Sequence, residues 1–145
     1  MEREKERKIE WDCTQVVNKF YNSLDARLYD DLMECFTEEG IWKRQGNELR
    51  GHEAILAAMH ARSPNLVIRH IVTNISVTIH DEDHAETQEY VTIYRYDSDQ
   101  QIDGPAPLDG PGVIFLYQDK MVRSKDNWKI SDKRGKPIML KRRIQ

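Results

Sequence analysis

Asp25 and His70 are the residues of this sequence whose types and positions favour acid–base chemistry. Asp25 falls on or beside an apolar helical stripe that includes Phe20 and Leu24, and a carboxylate drawn into an interior is costly unless a donor or a positive charge meets it. An imidazole is a natural partner, because a carboxylate that accepts from one ring nitrogen raises the basicity of the other. Such a pair acts as a general base and then as a general acid. The alternatives are a structural histidine and an exposed helix end.

His70 lies near the start of a run, residues 66–80, that is rich in β-branched side chains and free of Gly and Pro. This composition predicts a strand, in which successive side chains point to opposite faces. We predict one apolar face, formed by Ile71, Thr73, Ile75, Val77 and Ile79. The other face is predicted to carry His70 and Asn74 two pleats apart, and the Asn74 carboxamide is a candidate for orienting a substrate carbonyl.

Three helices are predicted in the first half of the chain. Apolar residues recur at spacings of three and four from Ile9 to Leu24, which predicts the first helix. A second is predicted over Tyr29–Phe36, ended by Glu38-Glu39-Gly40, and a third over His52–Ala61. Strands are predicted over 41–44, 66–80, 84–97, 112–123 and 127–132. The Pro- and Gly-containing loop 97–112 is long for a hairpin, and whether it closes over a pocket stays open.

These elements predict one α+β domain over residues 1–145, a cone-shaped curved antiparallel sheet with the three helices packed on its concave side. The core spans about 9–134, with a charged N-terminal extension over 1–8 and a basic, solvated tail over 133–145 that alternatively contacts an anion or a second subunit. The mouth of such a cone suits a small ligand. A homodimer through the open sheet face would bury whichever of Ile71, Ile75, Val77 and Ile79 the helices leave uncovered.

The composition and the local motifs of the sequence argue against several classes of protein. The chain has 145 residues, a net charge of −3, 39% hydrophobic and 32% charged residues. It contains no apolar run of about 20 residues, so we expect no membrane span, and the charged segment 2–8 lacks the apolar part of a secretory signal. We expect Cys13 and Cys35 to be reduced thiols of a cytoplasmic protein. No zinc-type Cys/His spacing, phosphate loop or basic–aromatic platform occurs, so no metal, cofactor or nucleic acid is predicted.

Several short motifs, in order from about Val16 to Arg134, resemble the SnoaL-like group of the nuclear transport factor 2-like superfamily, which has a cystatin-like, cone-shaped α+β fold. The motifs are Tyr21-x-x-Leu24-Asp25, the segment Asp31 to Phe36, Gly51-His-x-Ala-Ile55, His70-x-x-Thr73-Asn74, Tyr117-x-Asp119-x-x-Val-Arg123 and Trp128-x-Ile130. The ordered set is typical of the group and not of a single activity.

The resemblance implies a function. In enzymes of the group, such as scytalone dehydratase and lindane dehydrochlorinase, a His–Asp dyad abstracts a proton during elimination, at positions that Asp25 and His70 occupy here. It therefore implies a cofactor-free lyase or isomerase, of dehydratase or cyclase type, acting on a small hydrophobic or aromatic molecule. Polyketide cyclase relatives share the fold with other chemistry or none, so a non-catalytic ligand-binding or assembly domain stays the alternative.

Further polar and aromatic residues are candidates for the pocket wall. The proposed substrate-binding residues are Tyr21, Trp42, Asn74, Tyr94 and Tyr117. For the aromatic ones the alternative is a place in the core, which strand aromatics occupy more often than pockets. Asp119 and Arg123 are predicted to form a structural ion pair near the sheet edge rather than to take part in catalysis.

Overall fold

The computed structural model describes residues 1–142, with helices concentrated in the first half of the chain and long strands in the second. The three helices are α1 over Arg3–Ala26, α2 over Tyr29–Glu34 and α3 over Gly51–His60. The six strands are β1 over Phe36–Arg44, β2 over Asn47–Arg50, β3 over Val67–Ile79, β4 over His84–Tyr96, β5 over Val113–Ser124 and β6 over Asn127–Leu140. They form one sheet.

Helix α1 follows the predicted apolar stripe and extends it toward the N-terminus through the charged residues. Its buried side chains recur on one side of the helix and are Ile9, Cys13, Val17, Phe20, Tyr21, Ser23 and Leu24. The helix ends at Ala26 because Arg27 adopts a left-handed backbone conformation, with φ of 58°, and its amide donates to the Leu24 carbonyl. Asp25 therefore lies in the last turn of α1.

The strand order in the sheet is β2-β1-β6-β5-β4-β3. The α1 and α3 helices pack on one side of this curved sheet, called here the inner face, where α1 contacts β3, β4 and β6. The predicted α+β class is confirmed. The prediction of a wholly antiparallel sheet is wrong at one pair, because β1 and β6 run in parallel. No hairpin joins these two strands, so the connectivity does not force them to be antiparallel.

A β-bulge in β3 overturns the predicted alternation of this strand. The register with β4 passes from Thr73 opposite Tyr90 to Ser76 opposite Gln88, which leaves one extra residue in β3, and Asn74 there has φ of 57°. One extra residue exchanges the two faces of a strand. His70 and Val72 before the bulge therefore face the helices together with the apolar residues after it, which are Ile75, Val77 and Ile79.

The same bulge separates Ile71 and Asn74 from the residues with which each was predicted to share a face. Ile71, predicted to share a face with Ile75, is 49% exposed on the opposite side, called here the outer face. Asn74 is exposed at the bulge and does not share a regular face with His70. A sequence period of two cannot reveal where a bulge interrupts it.

The boundary between α2 and β1 differs from the prediction. The α2 helix ends at Glu34 and β1 begins at Phe36, so the segment Glu38-Glu39-Gly40, predicted to end the helix, lies inside the strand. Gly40 has a packing role there. A Cβ atom at this position would lie 3.0 Å from Phe36 Cδ1 and 3.0 Å from the Thr37 carbonyl oxygen. The register with β6 also shifts between Phe36 and Ile41.

The predicted basic tail belongs to the sheet as far as Leu140, although the side chains of residues 134–142 are exposed, as predicted for a solvated tail. Strand β6 does not end at Asp132 but continues to Leu140, paired with β5 as far as Val113. Lys133 is completely buried. The tail was predicted from its positive charge, whereas the long β5 strand offers hydrogen-bond partners that hold this basic segment in the sheet. Residues 143–145 of the predicted tail lie outside the described part of the chain.

Candidate active site

Helix α1 and strand β3 bring Asp25 and His70 into direct contact. Asp25 Oδ1 lies 2.5 Å from His70 Nδ1, and Asp25 Oδ2 accepts a hydrogen bond of 2.8 Å from the His70 backbone amide. One carboxylate thus holds both the ring and the main chain of the histidine. Because a carboxylate is an acceptor, Nδ1 carries the ring proton and Nε2 has the free lone pair.

The dyad is sheltered but not sealed. The side chain of His70 is 9% exposed and that of Asp25 is 14% exposed. His70 Nε2 makes no hydrogen bond within residues 1–142, and it is not among the partnerless side-chain atoms that are closed off from solvent. A general base requires a ring nitrogen whose lone pair no neighbouring group occupies, and Nε2 meets this requirement within residues 1–142.

The position of Asp25 at a helix C-terminus needs compensation, because the partial negative charge there disfavours a second negative charge. The two N–H donors of His70 supply part of it. The Arg62 guanidinium supplies a positive charge nearby, since it donates to the Leu24 carbonyl oxygen at 3.3 Å. The carboxylate is held in the interior by tertiary contacts rather than by its own helix.

Tyr21 lies one helical turn before Asp25 and stands beside the dyad. Its ring centroid is 5.6 Å from that of His70 and 6.4 Å from that of Tyr117. The side chain is buried, and its hydroxyl oxygen has no hydrogen-bond partner within the described chain. Burial raises the pKa of Tyr21 well above its usual value, so the hydroxyl keeps its proton. Tyr21 is thus a neutral donor next to His70.

Tyr117 contributes a second aromatic ring on the inner face, and a glycine makes room for it. Gly135 on β6 is opposite Tyr117 on β5. A Cβ atom at Gly135 would lie 2.5 Å from Tyr117 Cε1, a contact that real side chains do not make. The absence of a side chain at this position lets the tyrosine ring lie flat against the strand.

Trp42, the third predicted aromatic residue, is a core residue. It is buried against Phe20 at a centroid distance of 5.2 Å and stacks on Phe36 at 6.3 Å. Its indole Nε1 has no hydrogen-bond partner within residues 1–142. Trp42 therefore forms part of the apolar floor beneath the site rather than an accessible wall.

Tyr94 and Asn74 do not lie with the dyad. Tyr94 pairs with Arg69, one residue out of phase with the pairing of His70 and Ile93, so it points to the outer face. There it lines a cavity of about 480 Å³ together with residues 101–108 of the long loop. The loop therefore packs against the face opposite His70, and Asn74 is exposed at the bulge.

A buried charge cluster next to Tyr21 is absent from the predicted site residues. Lys133 Nζ lies 3.2 Å from Glu89 Oε1, 3.1 Å from Asp119 Oδ1 and 3.0 Å from Asp119 Oδ2. The ammonium also lies over the Tyr21 ring, 4.6 Å from its centroid. The predicted ion pair between Asp119 and Arg123 is wrong, since Arg123 pairs with Asp83 at 2.9 Å instead.

The sequence carries a signal for part of this cluster. In β4 the alternate residues Ala85, Thr87, Glu89 and Val91 are all buried. Because side chains alternate between the two faces of a strand, the apolar Ala85 and Val91 indicate that Glu89 lies on the same buried face. Lys133 has no such signal, because it stands in a basic run that has the composition of an exposed segment.

The protonation states in the cluster follow from burial and charge. Burial and the negative charge of Asp119 raise the pKa of Glu89 to about 8, against the opposing effect of Lys133. Burial alone would lower the pKa of Lys133, but Asp119 and the other neighbours raise it well above its usual value. Near neutral pH Lys133 therefore keeps its positive charge and Glu89 keeps its proton.

Comparison with known proteins places this fold among established ones. The family model described as SnoaL-like domain matches residues 6–134. No curated protein matches the sequence. Within the described chain, no helix is long and apolar enough to cross a membrane, and no group of three or more His, Cys, Asp and Glu side chains is arranged to hold a metal ion.

Three solved structures show the similarity. The hexachlorocyclohexane dehydrochlorinase LinA-type3 from Novosphingobium barchaimii is 14% identical with a TM-score of 0.77, over 97% of this chain and 93% of that one. A candidate scytalone dehydratase from Novosphingobium aromaticivorans is 15% identical with a TM-score of 0.76, over 99% and 94%. A Nostoc punctiforme protein with a cystatin-like fold is 14% identical with a TM-score of 0.70, over 88% and 89%. These similarities establish a shared cystatin-like fold.

Proposed function

This chain belongs to the SnoaL-like domain family, and we propose that it is a cofactor-free lyase or isomerase that catalyses elimination on a small cyclic or aromatic compound. The observation that supports the proposal is the contact between Asp25 and His70, with Nδ1 bound to the carboxylate and Nε2 free. The dehydrochlorinase and candidate dehydratase of the same fold are consistent with such a reaction. Fold similarity alone would not carry it.

The proposed reaction begins with proton abstraction. His70 Nε2 takes a proton from a carbon next to a carbonyl group, and Asp25 stabilises the imidazolium that forms. The electron pair of the broken C–H bond forms a C=C bond, and the leaving group departs with its own electron pair. In a dehydration, the imidazolium returns its proton to the departing hydroxide, which leaves as water. In this proposal Tyr21, whose ring centroid lies 5.6 Å from that of His70, donates a hydrogen bond to the substrate oxygen.

A β-hydroxy ketone on a fused ring tests this reaction. Dehydration of 3-hydroxy-1-tetralone yields a naphthol, whose formation is followed by absorbance. We expect turnover by the wild-type protein and a loss of about 10²–10⁴-fold in His70→Gln, the usual contribution of general acid–base catalysis. Further cyclic β-hydroxy and β-halo ketones extend the test to other leaving groups.

The exposed pair of His84 and Asp81 provides the matched control. His84 Nδ1 lies 2.9 Å from Asp81 Oδ1, so this pair has the same chemistry as the dyad but stands on the surface. His84→Gln should retain full turnover. If no compound of the panel reacts, or if both variants lose activity equally, the elimination proposal is wrong.

A second candidate function is a ligand-binding or assembly domain without chemistry. The close packing of Tyr21, Phe20 and Trp42 around the inner face favours this alternative, because a filled interior leaves little room for a substrate. Under it, cyclic ketones would raise the melting temperature without being converted, since a ligand that binds only the folded state stabilises it. Thermal shift and turnover measured on the same compounds separate the two functions.

We further propose a homodimer through the outer face of the sheet. Apolar side chains are exposed on this face of adjacent strands, among them Ile71, Tyr90 and Met139. An exposed apolar patch of this kind favours association. Ile71→Glu should convert a dimer to a monomer in analytical ultracentrifugation. Leu28→Glu is the control, since Leu28 is also exposed but follows α1 rather than lying in the sheet.

A reducing compartment such as the cytoplasm is part of the same proposal. Cys13 and Cys35 are both free and buried. Burial raises the pKa of Cys13 to about 12 and that of Cys35 to about 11, so both thiols stay protonated and unreactive. Mass spectrometry after isolation without reductant should find two unmodified thiols.

A further inference from the structure

The cavity that Tyr94 lines on the outer face, called here the outer-face cavity, lies apart from the His–Asp dyad. Its volume of about 480 Å³ is within the range of about 300–1,000 Å³ that ligand pockets usually have. One side is formed by the ends of β3 and β4, where Arg69 pairs with Tyr94 and Val67 pairs with Tyr96. The long loop forms the other side. Because His70 points to the inner face, the dyad and this cavity are on opposite sides of β3.

The walls of the outer-face cavity suit an apolar ring. Tyr94 and Tyr96 are two residues apart on β4, so both side chains lie on the same face of the strand, where they are half-buried. Ile102, Pro105 and Pro107 line the cavity from the loop. Aromatic side chains bury a large apolar area against a flat partner, so a ring between these two walls would be held on both sides.

Arg69 is the charged side chain of this cavity that meets no opposite charge. Within residues 1–142 its guanidinium makes one hydrogen bond, from Nη1 to the Ile68 carbonyl oxygen at 2.7 Å, which leaves its other N–H donors without a protein acceptor. Arg95, the other arginine at the cavity, lies 3.5 Å from Asp97. No Asp or Glu of the described chain lines the cavity. An anionic group that enters it therefore meets a guanidinium and no competing carboxylate.

The loop over the cavity is positioned by side-chain packing rather than by the sheet. Within the described chain, no backbone hydrogen bond joins residues 101–111 to a strand. Gly104 and Gly110 have φ of 78° and 92°, a backbone conformation that other residues rarely adopt. Between these glycines Leu108 is 79% exposed although it borders the cavity. A segment with so few hydrogen bonds moves at little cost, so residues 105–109 can close and bury Leu108 against a ligand.

We propose that the outer-face cavity is a second ligand-binding site, which takes a small carboxylic acid with an apolar ring. The ring packs between the tyrosines of β4 and the prolines of the loop, and Leu108 closes over it. The carboxylate accepts two N–H bonds from Arg69, since the guanidinium fork matches the spacing of two carboxylate oxygens. This site does not depend on the proposed elimination, because none of these residues belongs to the dyad.

A pair of probes that differ in charge tests the site. 2-Naphthoate and 2-naphthamide have the same ring system and nearly the same shape, but only 2-naphthoate is negatively charged at neutral pH. We expect the wild-type protein to bind 2-naphthoate at least about tenfold more tightly in isothermal titration calorimetry, which is what a hydrogen bond to a charged group contributes. Equal affinity for the two probes, or no binding of either, would overturn the proposal.

An arginine at the other end of the sheet provides the matched control. Arg69→Gln should lower the affinity for 2-naphthoate to that for 2-naphthamide, and it should fold because Arg69 is exposed. Arg50→Gln makes the same change in net charge at another exposed arginine, on β2 at the opposite edge of the sheet from β3. This variant should keep the full preference. An equal loss in both variants would assign the preference to overall charge and contradict a site at Arg69.

Leu108→Ala tests the closure of the loop. We expect both probes to bind about threefold to tenfold more weakly by the same factor, because the apolar area that closes over the ring is reduced. The preference for 2-naphthoate should remain. Leu28→Ala is the control, since Leu28 is also an exposed leucine but does not line the cavity. Unchanged affinities in Leu108→Ala would show that the loop does not close on the ligand.

Two-dimensional NMR spectra of the backbone amides locate the bound probe. 2-Naphthoate should shift the signals of Arg69, Tyr94 and the loop residues of the cavity in the wild-type protein and leave them unchanged in Arg69→Gln. Shifts confined to residues around Asp25 would place the acid at the dyad and overturn the outer-face site. If the loop signals instead shift with protein concentration and ignore 2-naphthoate, a second copy of the chain occupies the cavity and the proposal is wrong.

Discussion

The interior and the surface of this protein contain polar pairs of the same chemical types at nearly the same distances. Asp119 and Lys133 approach to 3.0 Å inside the sheet, and Asp83 and Arg123 approach to 2.9 Å at its edge. The interior pair is completely buried, whereas the side chains of the surface pair are 57% and 34% exposed. Distance alone therefore does not rank these interactions. Solvent screens the surface charges, whereas the buried charges are stabilised by each other.

The two His–Asp pairs repeat this contrast. His84 is bound by Asp81 three residues away, in a surface turn where both side chains are well exposed. His70 is bound by Asp25, 45 residues away, where both are sheltered. Only the second pair has a fixed tautomer beside an apolar interior, so only it has the conditions for acid–base chemistry.

Removing the inner cation should have the largest effect. Lys133→Met leaves Asp119 and Glu89 without a partner in the core, and we expect a loss of about 3–5 kcal/mol in the free energy of unfolding. Arg123→Met, its surface counterpart, should change that free energy by no more than about 1 kcal/mol. Urea denaturation followed by circular dichroism measures both. Similar losses in the two variants would contradict the contrast between interior and surface.

The inner His–Asp pair should be next in effect. Asp25→Asn replaces an acceptor with an amide that can donate to Nδ1, which would move the ring proton of His70 to Nε2 and block the base. We expect turnover of a cyclic β-hydroxy ketone to fall about 10–100-fold or more. Asp81→Asn at the surface should leave turnover unchanged. Initial rates under matched conditions decide between these outcomes.

Gly135, which lies against the Tyr117 ring, and Gly112, which has no close neighbour, provide a third comparison. Gly135→Ala puts a methyl group within 2.5 Å of the Tyr117 ring and should lower the free energy of unfolding by about 1–3 kcal/mol. Gly112→Ala has its nearest neighbour at 4.0 Å and should be nearly neutral. Equal melting temperatures for the two variants would mean that the Tyr117 ring does not lie against β6.

The pH dependence of stability tests the protonation of the buried Glu89 carboxyl group, with an effect spread over several pH units. Glu89 has a usual pKa of 4.5 and a folded-state pKa of about 8, so between these values it holds a proton only when folded. The unfolded state then binds fewer protons, and stability falls as the pH rises, by at most about 1.4 kcal/mol per pH unit, before levelling off above 8. Glu89→Gln should lack this slope. Thermal melts across the range test it, and an identical slope in the variant would assign it to another group.

The long strands β3, β4 and β5 were predictable, because they depend on local patterns, whereas β2 was not predicted and β1 begins at Phe36 rather than at Ile41. The long strands β4 and β5 lie within one residue of their predicted ends, since turn residues bound them on both sides. The end of β6 was missed because its partner strand, not its composition, keeps it extended. The bulge at Asn74 was missed because a single positive φ leaves no trace in the hydrophobic pattern.

The residues of the site also fall into those that the sequence predicted and those that it did not. Asp25 and His70 were found because each stands out against its own helix or strand, and the structure places them in contact. Glu89 and Lys133 were not, because an acidic residue in a strand and a basic one in a charged run have ordinary surface roles. Tyr94, proposed as a substrate-binding residue, lies on the outer face away from the dyad, because the pairing of β4 with β3 sets the phase of its strand.

The sequence by itself determined the helices, the strands β3, β4 and β5 and the residue types available for proton transfer, since these follow from side-chain spacing along the chain. The tertiary structure alone decided which carboxylate meets which cation and which hydroxyl is left without a partner. The reason is physical: the cost of burying a charge depends on groups that lie 14 to 45 residues away along the chain, and their positions exist only once the sheet has closed around α1.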